Sequence, residues 1–76
     1  MSTKVKNRFL ILLGAKEQRE GRRIRNKEIA RAVGVNEHTV ARWVENDVNM
    51  ISVAVLEAFC KYFECDVGDL LYMERE

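Results

Sequence analysis

The 76-residue sequence has no proline, four glycines, two cysteines and a single histidine. Each shortage excludes something. With so few turn residues and no sustained alternation of apolar and polar positions, hairpin signals are few and helical ones several. Cys60 and Cys65 stand five apart, outside the two-to-four spacing of a structural zinc site, and a distant His38 does not complete one. Buried, reduced thiols are the ordinary reading of this pair, with a redox switch as the alternative. No Ser/His/Asp or Cys/His spacing, phosphate-cradling glycine loop or pair of carboxylates in an apolar setting is present. The chain is therefore not expected to be an enzyme, and no metal or cofactor is expected. No apolar run approaches the roughly 20 residues that cross a bilayer, and the N-terminus lacks the apolar core and cleavage site of a signal peptide. A soluble cytoplasmic protein without a membrane partner is expected, and no room is left for a small-molecule ligand domain.

Charge is what the chain does have, and it is segregated. Net charge is only +1, yet residues 1–44 hold eleven Lys/Arg against four Asp/Glu, a balance of +7, while residues 45–76 hold two against eight, a balance of −6. A basic half of this kind is a footprint of nucleic-acid binding, the plain alternative being a solvated face. A chain this short buries only about 60% of the surface that its unfolded form exposes. The expectation is a single all-α domain over residues 1–76.

Residues 26–46 form its centre. Ile29, Ala30 and Val33 share one helical face from Lys27 to Val33, and Gly34 supplies a left-handed stop. Asn36 can cap a second helix through residue 46, with Val35 and Val40 spaced as a hydrophobic staple. The pattern is a helix-turn-helix. Before it, residues 4–16 carry Val5, Phe9, Leu12 and Leu13 on a stripe, with Ser2 or Thr3 as cap. Leu10 and Ile11 widen that stripe, either as extra core or as an exposed self-association patch. Residues 16–25 read as a loop or a frayed helix end, and Arg19, Arg22, Arg23 and Arg25 are either solvated or set against phosphates. Ile24 is expected to tuck into the core. After the motif, Val48 and Met50 fall in a connector. Ser52 caps a helix whose face is Val55, Leu56, Phe59, Cys60 and Phe63, while Glu57, Lys61 and Glu64 can pair on its wet side. Asp66 caps a last helix through Tyr72 that places Leu70 and Leu71 in the core, and residues 74–76 are expected to fray.

The helix from Asn36 to Asn46 is about 15 Å long, a size that fits the major groove of B-DNA. With Val40, Trp43 and Val44 inward, Glu37, His38, Thr39, Ala41, Arg42 and Glu45 are left outside. Arg42 can donate a bidentate pair to guanine, Thr39 can bond a base or touch a thymine methyl, His38 can donate or accept, and Glu37 can accept from cytosine. Glu37 in the first turn equally suits the helix dipole. Backbone phosphates are assigned to Arg22, Arg23, Arg25, Asn26, Lys27, Asn36, Asn46 and Asn49, although plain capping explains Asn26 and Asn36 as well.

The run E-I-A-x-x-x-G-V from Glu28 to Val35, the capped helix holding Val40 and Trp43, and the downstream I-S-x-x-x-L-E-A-F-C-K-Y-F-x-C-x-V-G-D-L-L from Ile51 to Leu71 together resemble the Cro and phage-repressor type, or xenobiotic-response-element, family of helix-turn-helix regulators. The likeness spans roughly residues 5–73. It implies a five-helix, lambda-repressor-like DNA-binding domain, bacterial or phage-encoded and nucleoid-associated. Such a chain would be a transcriptional regulator, most simply a repressor, binding double-stranded DNA as a homodimer with its third helix in the major groove. Three features depart from the family pattern: Arg25-Asn26 at the start of the second helix, the long arginine-rich link before it, and Leu10 and Ile11 at usually polar positions. The alternative from another class is a small protein-interaction module, antitoxin-like, in which Leu10, Ile11, Tyr72 and Met73 hold a partner.

Overall fold

Four aromatic residues far apart in sequence meet at one point. The Phe9 ring stands edge-on to Phe59 and to Phe63, with centroids 5.1 Å away in each case, and lies tilted against Trp43 at 6.4 Å. Trp43 in turn meets Phe59 edge-on at 5.0 Å. Pairs in this geometry add about 0.5–1.5 kcal/mol each beyond the area they bury. The computed structural model describes residues 3–47 and 50–75. Its elements in chain order are strand β1 (Thr3–Asn7), helices α1 (Phe9–Glu20), α2 (Asn26–Val33), α3 (Glu37–Val44), α4 (Val53–Phe63) and α5 (Val67–Leu70), and strand β2 (Leu71–Arg75). The aromatic cluster thus joins α1, α3 and α4, and Leu13, Ile24, Ile29, Ala30, Val40 and Leu70 complete the buried core around it.

The helix ends have local causes. Gly34 closes α2 at φ 79°, and its N–H and that of Val35 both donate to the Ala30 carbonyl at 2.9 and 3.0 Å. A residue with a Cβ is strained at that φ, which is why glycine stands there. The Asn36 side chain accepts the Thr39 N–H at 2.8 Å and so caps α3. Asp69 accepts the N–H of Asp66 at 3.0 Å across the first turn of α5. Ser52 holds the capping position of α4, but its side chain makes no capping bond.

Several expectations are corrected. The fold is not purely α, because the five helices are accompanied by a two-stranded antiparallel sheet in which Val5 faces Met73 and Asn7 faces Leu71. Residues 4–7 are strand, not helix, and α1 starts at Phe9. Thr3 is a strand residue and not a cap; Ser2 lies outside the described residues. Thr3 to Asn7 holds a single apolar residue, Val5, and its pairing partner lies more than sixty residues away. Pairing at such separation leaves no mark on local periodicity. At the other end α5 stops at Leu70 rather than Tyr72, and residues through Arg75 are paired instead of frayed. Helix α1 runs on to Glu20, so only its continuation from Gly21 to Arg25 is loop. Asn26 is the first residue of α2 and not its cap. Leu10 and Ile11 are 56% and 68% exposed, which removes them from the core. Among the described residues no ion pair joins Glu57 or Glu64 to Lys61.

One side chain ties the ends of the chain to its middle. Asn46, at φ 62°, turns its carboxamide oxygen to accept the Asn7 N–H at 3.0 Å, and Asn7 in turn accepts the Phe9 N–H at 3.0 Å. The Arg8 N–H donates to the Leu70 carbonyl at 2.8 Å, and the Arg8 guanidinium lies 4.3 Å over the Tyr72 ring. The sheet is thereby fastened to the segment just beyond α3. Because Phe9 has no exposed surface, Phe9→Ala is expected to lower the unfolding free energy by about 3–5 kcal/mol in a urea titration. Leu10→Ala should change it by about 0.5 kcal/mol or less.

Candidate nucleic-acid interface

Helix α3 is held by two side chains: Val40 has no exposed surface and Trp43 only 2%. With those turned inward, Glu37, His38, Arg42 and Glu45 are exposed, while Thr39 and Ala41 are half-buried. His38 and Arg42, one turn apart, share a face. The hydroxyl of Thr39 donates to the Asn36 oxygen at 3.0 Å, so what it offers outward is a methyl group and an acceptor. The helix proper spans Glu37–Val44, shorter at both ends than residues 36–46 suggested, with Asn36 and Glu45 as its flanking residues.

The arginine-rich link is built, not merely solvated. Arg22 donates in a fork to both oxygens of Glu28, at 2.9 and 2.6 Å, and lies 2.9 Å from Glu20. The Glu17 carboxylate accepts the Ile24 N–H at 2.7 Å, and Ile24 is only 4% exposed, as its apolar character suggested. A hydrogen bond from Lys16 holds the Glu20 carboxyl below the usual range, with Arg22 helping; Arg22 does the same for Glu28, whose hydrogen bond raises the guanidinium in return. The charge of Arg22 is therefore already matched. Arg19, Arg23, Arg25, Lys27, Arg31 and Arg42 are exposed and form no ion pair among the described residues.

The assigned residues fall into groups. Glu37, His38, Thr39 and Arg42 lie on α3 with its cap Asn36; Arg25, Asn26 and Lys27 lie at the start of α2, and Arg22 and Arg23 just before it. Asn46 is set apart by its bond to Asn7, and Asn49 lies outside the described residues. Arg31, exposed on α2, escaped the sequence reading; its place in the basic half was the available signal. Cys60 and Cys65 are half-buried at the end of α4, where the Cys65 N–H donates to the Cys60 carbonyl at 2.9 Å. Burial pushes the Cys65 thiol up to about 11.

The sequence profile of the Cro/C1-type helix-turn-helix DNA-binding domain matches residues 16–76. The chain belongs to this family. The Cro/C1 family is one of DNA-binding domains, not of enzymes, and its matched region contains the α2–turn–α3 unit described above. The fold is similar to a solved structure, that of the transcriptional regulator VanUg, with a TM-score of 0.69 and 30% identity. That likeness covers 100% of this chain and 92% of the other. No curated protein matches the chain. Among the described residues no helix of this Cro/C1 domain is long and apolar enough to cross a membrane.

Two outcomes follow for the Cro/C1 unit. Asn36→Ala should destabilise the chain by about 1 kcal/mol, read by thermal or urea unfolding, through loss of the α3 cap. The folded Glu20 and Glu28 carboxyls titrate below their ordinary value of 4.5, so their contribution is present above that pH and lost as pH falls through the lower, folded values. The difference in urea midpoint between the native chain and Arg22→Ala should thus hold steady from neutral pH to about 5 and shrink below about 4.

Proposed function

We propose that residues 1–76 act as one domain of a transcriptional repressor that binds double-stranded DNA sequence-specifically, with α3 in the major groove. The carrying observation is the two-sided character of α3: Val40 and Trp43 are buried while His38, Arg42 and Glu37 stand outside on the opposite surface. Arg42 pairs with guanine N7 and O6, and His38 and Glu37 read neighbouring base edges. Thr39 contributes its methyl group and acceptor lone pair.

Arg23, Arg25 and Lys27 meet phosphates beside the start of α2, with Arg31 added to them and the Asn26, Asn36 and Asn49 side chains as further donors. Arg22 serves by shaping the loop, since Glu20 and Glu28 already match its charge, and Asn46 serves through its bond to Asn7. VanUg, the similar structure, is a transcriptional regulator, which supports a regulatory role. Binding as a homodimer on a palindrome, with two α3 helices about 34 Å apart, agrees with the small size of one reading helix. The exposed apolar residues Leu10, Ile11 and Met73 also leave room for a protein contact, a role compatible with DNA binding.

Selection of sites from random DNA followed by titration across salt tests this reading. Binding should weaken linearly in log affinity against log salt as counterions are released. Arg42→Ala should relax preference at one base pair, at a cost of about 1–3 kcal/mol on the preferred site. Arg23→Ala should weaken all sequences alike and reduce the salt slope by about one. Failure to retain DNA at low salt overturns the proposal; an exchange of the two mutant phenotypes overturns the division between base and backbone contacts.

A further inference from the structure

We propose that Cys60 and Cys65 form a chelating dithiol, a site for trivalent arsenicals that take two sulfurs at once. None of the residues proposed to meet DNA belongs to it. The site is made by the way α4 ends. Glu64 turns left-handed at φ 54°, its N–H donates to the Lys61 carbonyl at 3.3 Å, and the Cys65 N–H reaches back to the Cys60 carbonyl at 2.9 Å. This paired closure brings together the side chains at its two outer positions. Those positions hold the two cysteines of the chain, and after burial it is the neighbouring Cys60 side chain that most raises the Cys65 thiol.

The same closure ends α2, where the Val35 N–H donates to the Ala30 carbonyl at 3.0 Å. Alanine and valine occupy the outer positions there, so packing at such a helix end does not need sulfur. What the cysteines add is a pair of thiols on one open cavity of about 340 Å³, whose lining they share with Lys61, Glu64, Asp66 and Asp69. Both are half-buried rather than enclosed, so a ligand reaches them from solvent while the chain stays folded.

The donor set selects the ligand. Structural zinc takes four protein ligands, and among the described residues no group of three or more His, Cys, Asp or Glu is placed to hold a metal ion. The carboxylates around the cavity are hard oxygen donors, whereas a thiophilic centre prefers sulfur. A hydrated monosubstituted arsenical, with two hydroxyls on arsenic, needs no more than two thiols. Each thiol passes its proton to one hydroxyl; two As–O bonds break, two As–S bonds form and two waters leave, with arsenic and sulfur unchanged in oxidation state. The high value of the Cys65 thiol, about 11, agrees with this route, in which the departing water takes the proton, and slows reagents that require a thiolate.

The test uses the full, reduced chain and phenylarsine oxide. Native mass spectrometry should show one phenylarsenic group per chain, and thiol titration should show both thiols lost together. Excess 2,3-dimercaptopropanol should remove the adduct, and excess 2-mercaptoethanol should not. Because the second bond forms within the chain, Cys60→Ser and Cys65→Ser should each raise the dissociation midpoint by about a hundredfold or more. The double variant Cys60→Ala, Cys65→Val copies the end of α2; it should keep its helical circular dichroism and bind no arsenical, which separates loss of the site from loss of the fold. A ligand that favours the folded chain stabilises it, so phenylarsine oxide should raise the urea midpoint of the native chain. An adduct that either single variant retains at native affinity, or that the monothiol strips, overturns the proposal. So does a urea midpoint that falls, or a chain that loses two hydrogens to an internal disulfide and binds no arsenic.

Discussion

The buried contact of Trp43 with Phe9 and Phe59 sets the roll of α3 about its own axis, and the rest of the molecule depends on that angle. A helix of eight residues has little stability of its own. What fixes α3 is tertiary: Val40 and Trp43 seated in a core supplied by α1, α2 and α4, with Asn36 closing one end. Turning the helix back by one position would bury Thr39 and Arg42 in place of Val40 and Trp43 and bring those apolar residues into water. The geometry that makes the core therefore also decides which side chains face out.

Around this constraint the basic half of the chain does two different things. Some of its positive charge is spent internally, Arg22 on Glu20 and Glu28 and Lys16 on Glu20, which shapes the link between α1 and α2. Of the remainder, Arg23, Arg25, Lys27, Arg31 and Arg42 stand exposed in and just before the α2–turn–α3 unit. Counting charges along the sequence cannot separate the two classes, because the partner of Arg22 is set by the path of the loop. The acidic half contributes mainly scaffold, through Phe59, Phe63 and Leu70.

Much of this was legible in the sequence where the determinants are local. The α2–turn–α3 unit was marked by Ile29, Ala30, Gly34 and Asn36, and the inward set of Val40 and Trp43 followed from helical spacing. The helix of Phe59 and Phe63 was equally plain. The errors lie where long-range pairing overrides a local pattern. Val5 shares a helical spacing with Phe9, yet it is a strand residue because Met73 lies opposite it. Leu10 and Ile11 are apolar but exposed, since α1 is anchored through Phe9 and Leu13, which turn its other side to solvent. Asn46 reads as a helix-end amide available to phosphate, and its bond to Asn7 spans 39 positions of sequence.

The claim that α3 reads base edges in the major groove is open to one direct measurement, methylation interference on a selected binding site. Guanine N7 lies in the major groove and adenine N3 in the minor groove. Methylating guanine N7 within each half-site should block binding, with the block relieved at the position read by Arg42 when that residue is alanine. Binding that tolerates methylation at every guanine N7 but is abolished at adenine N3 would contradict the placement of α3.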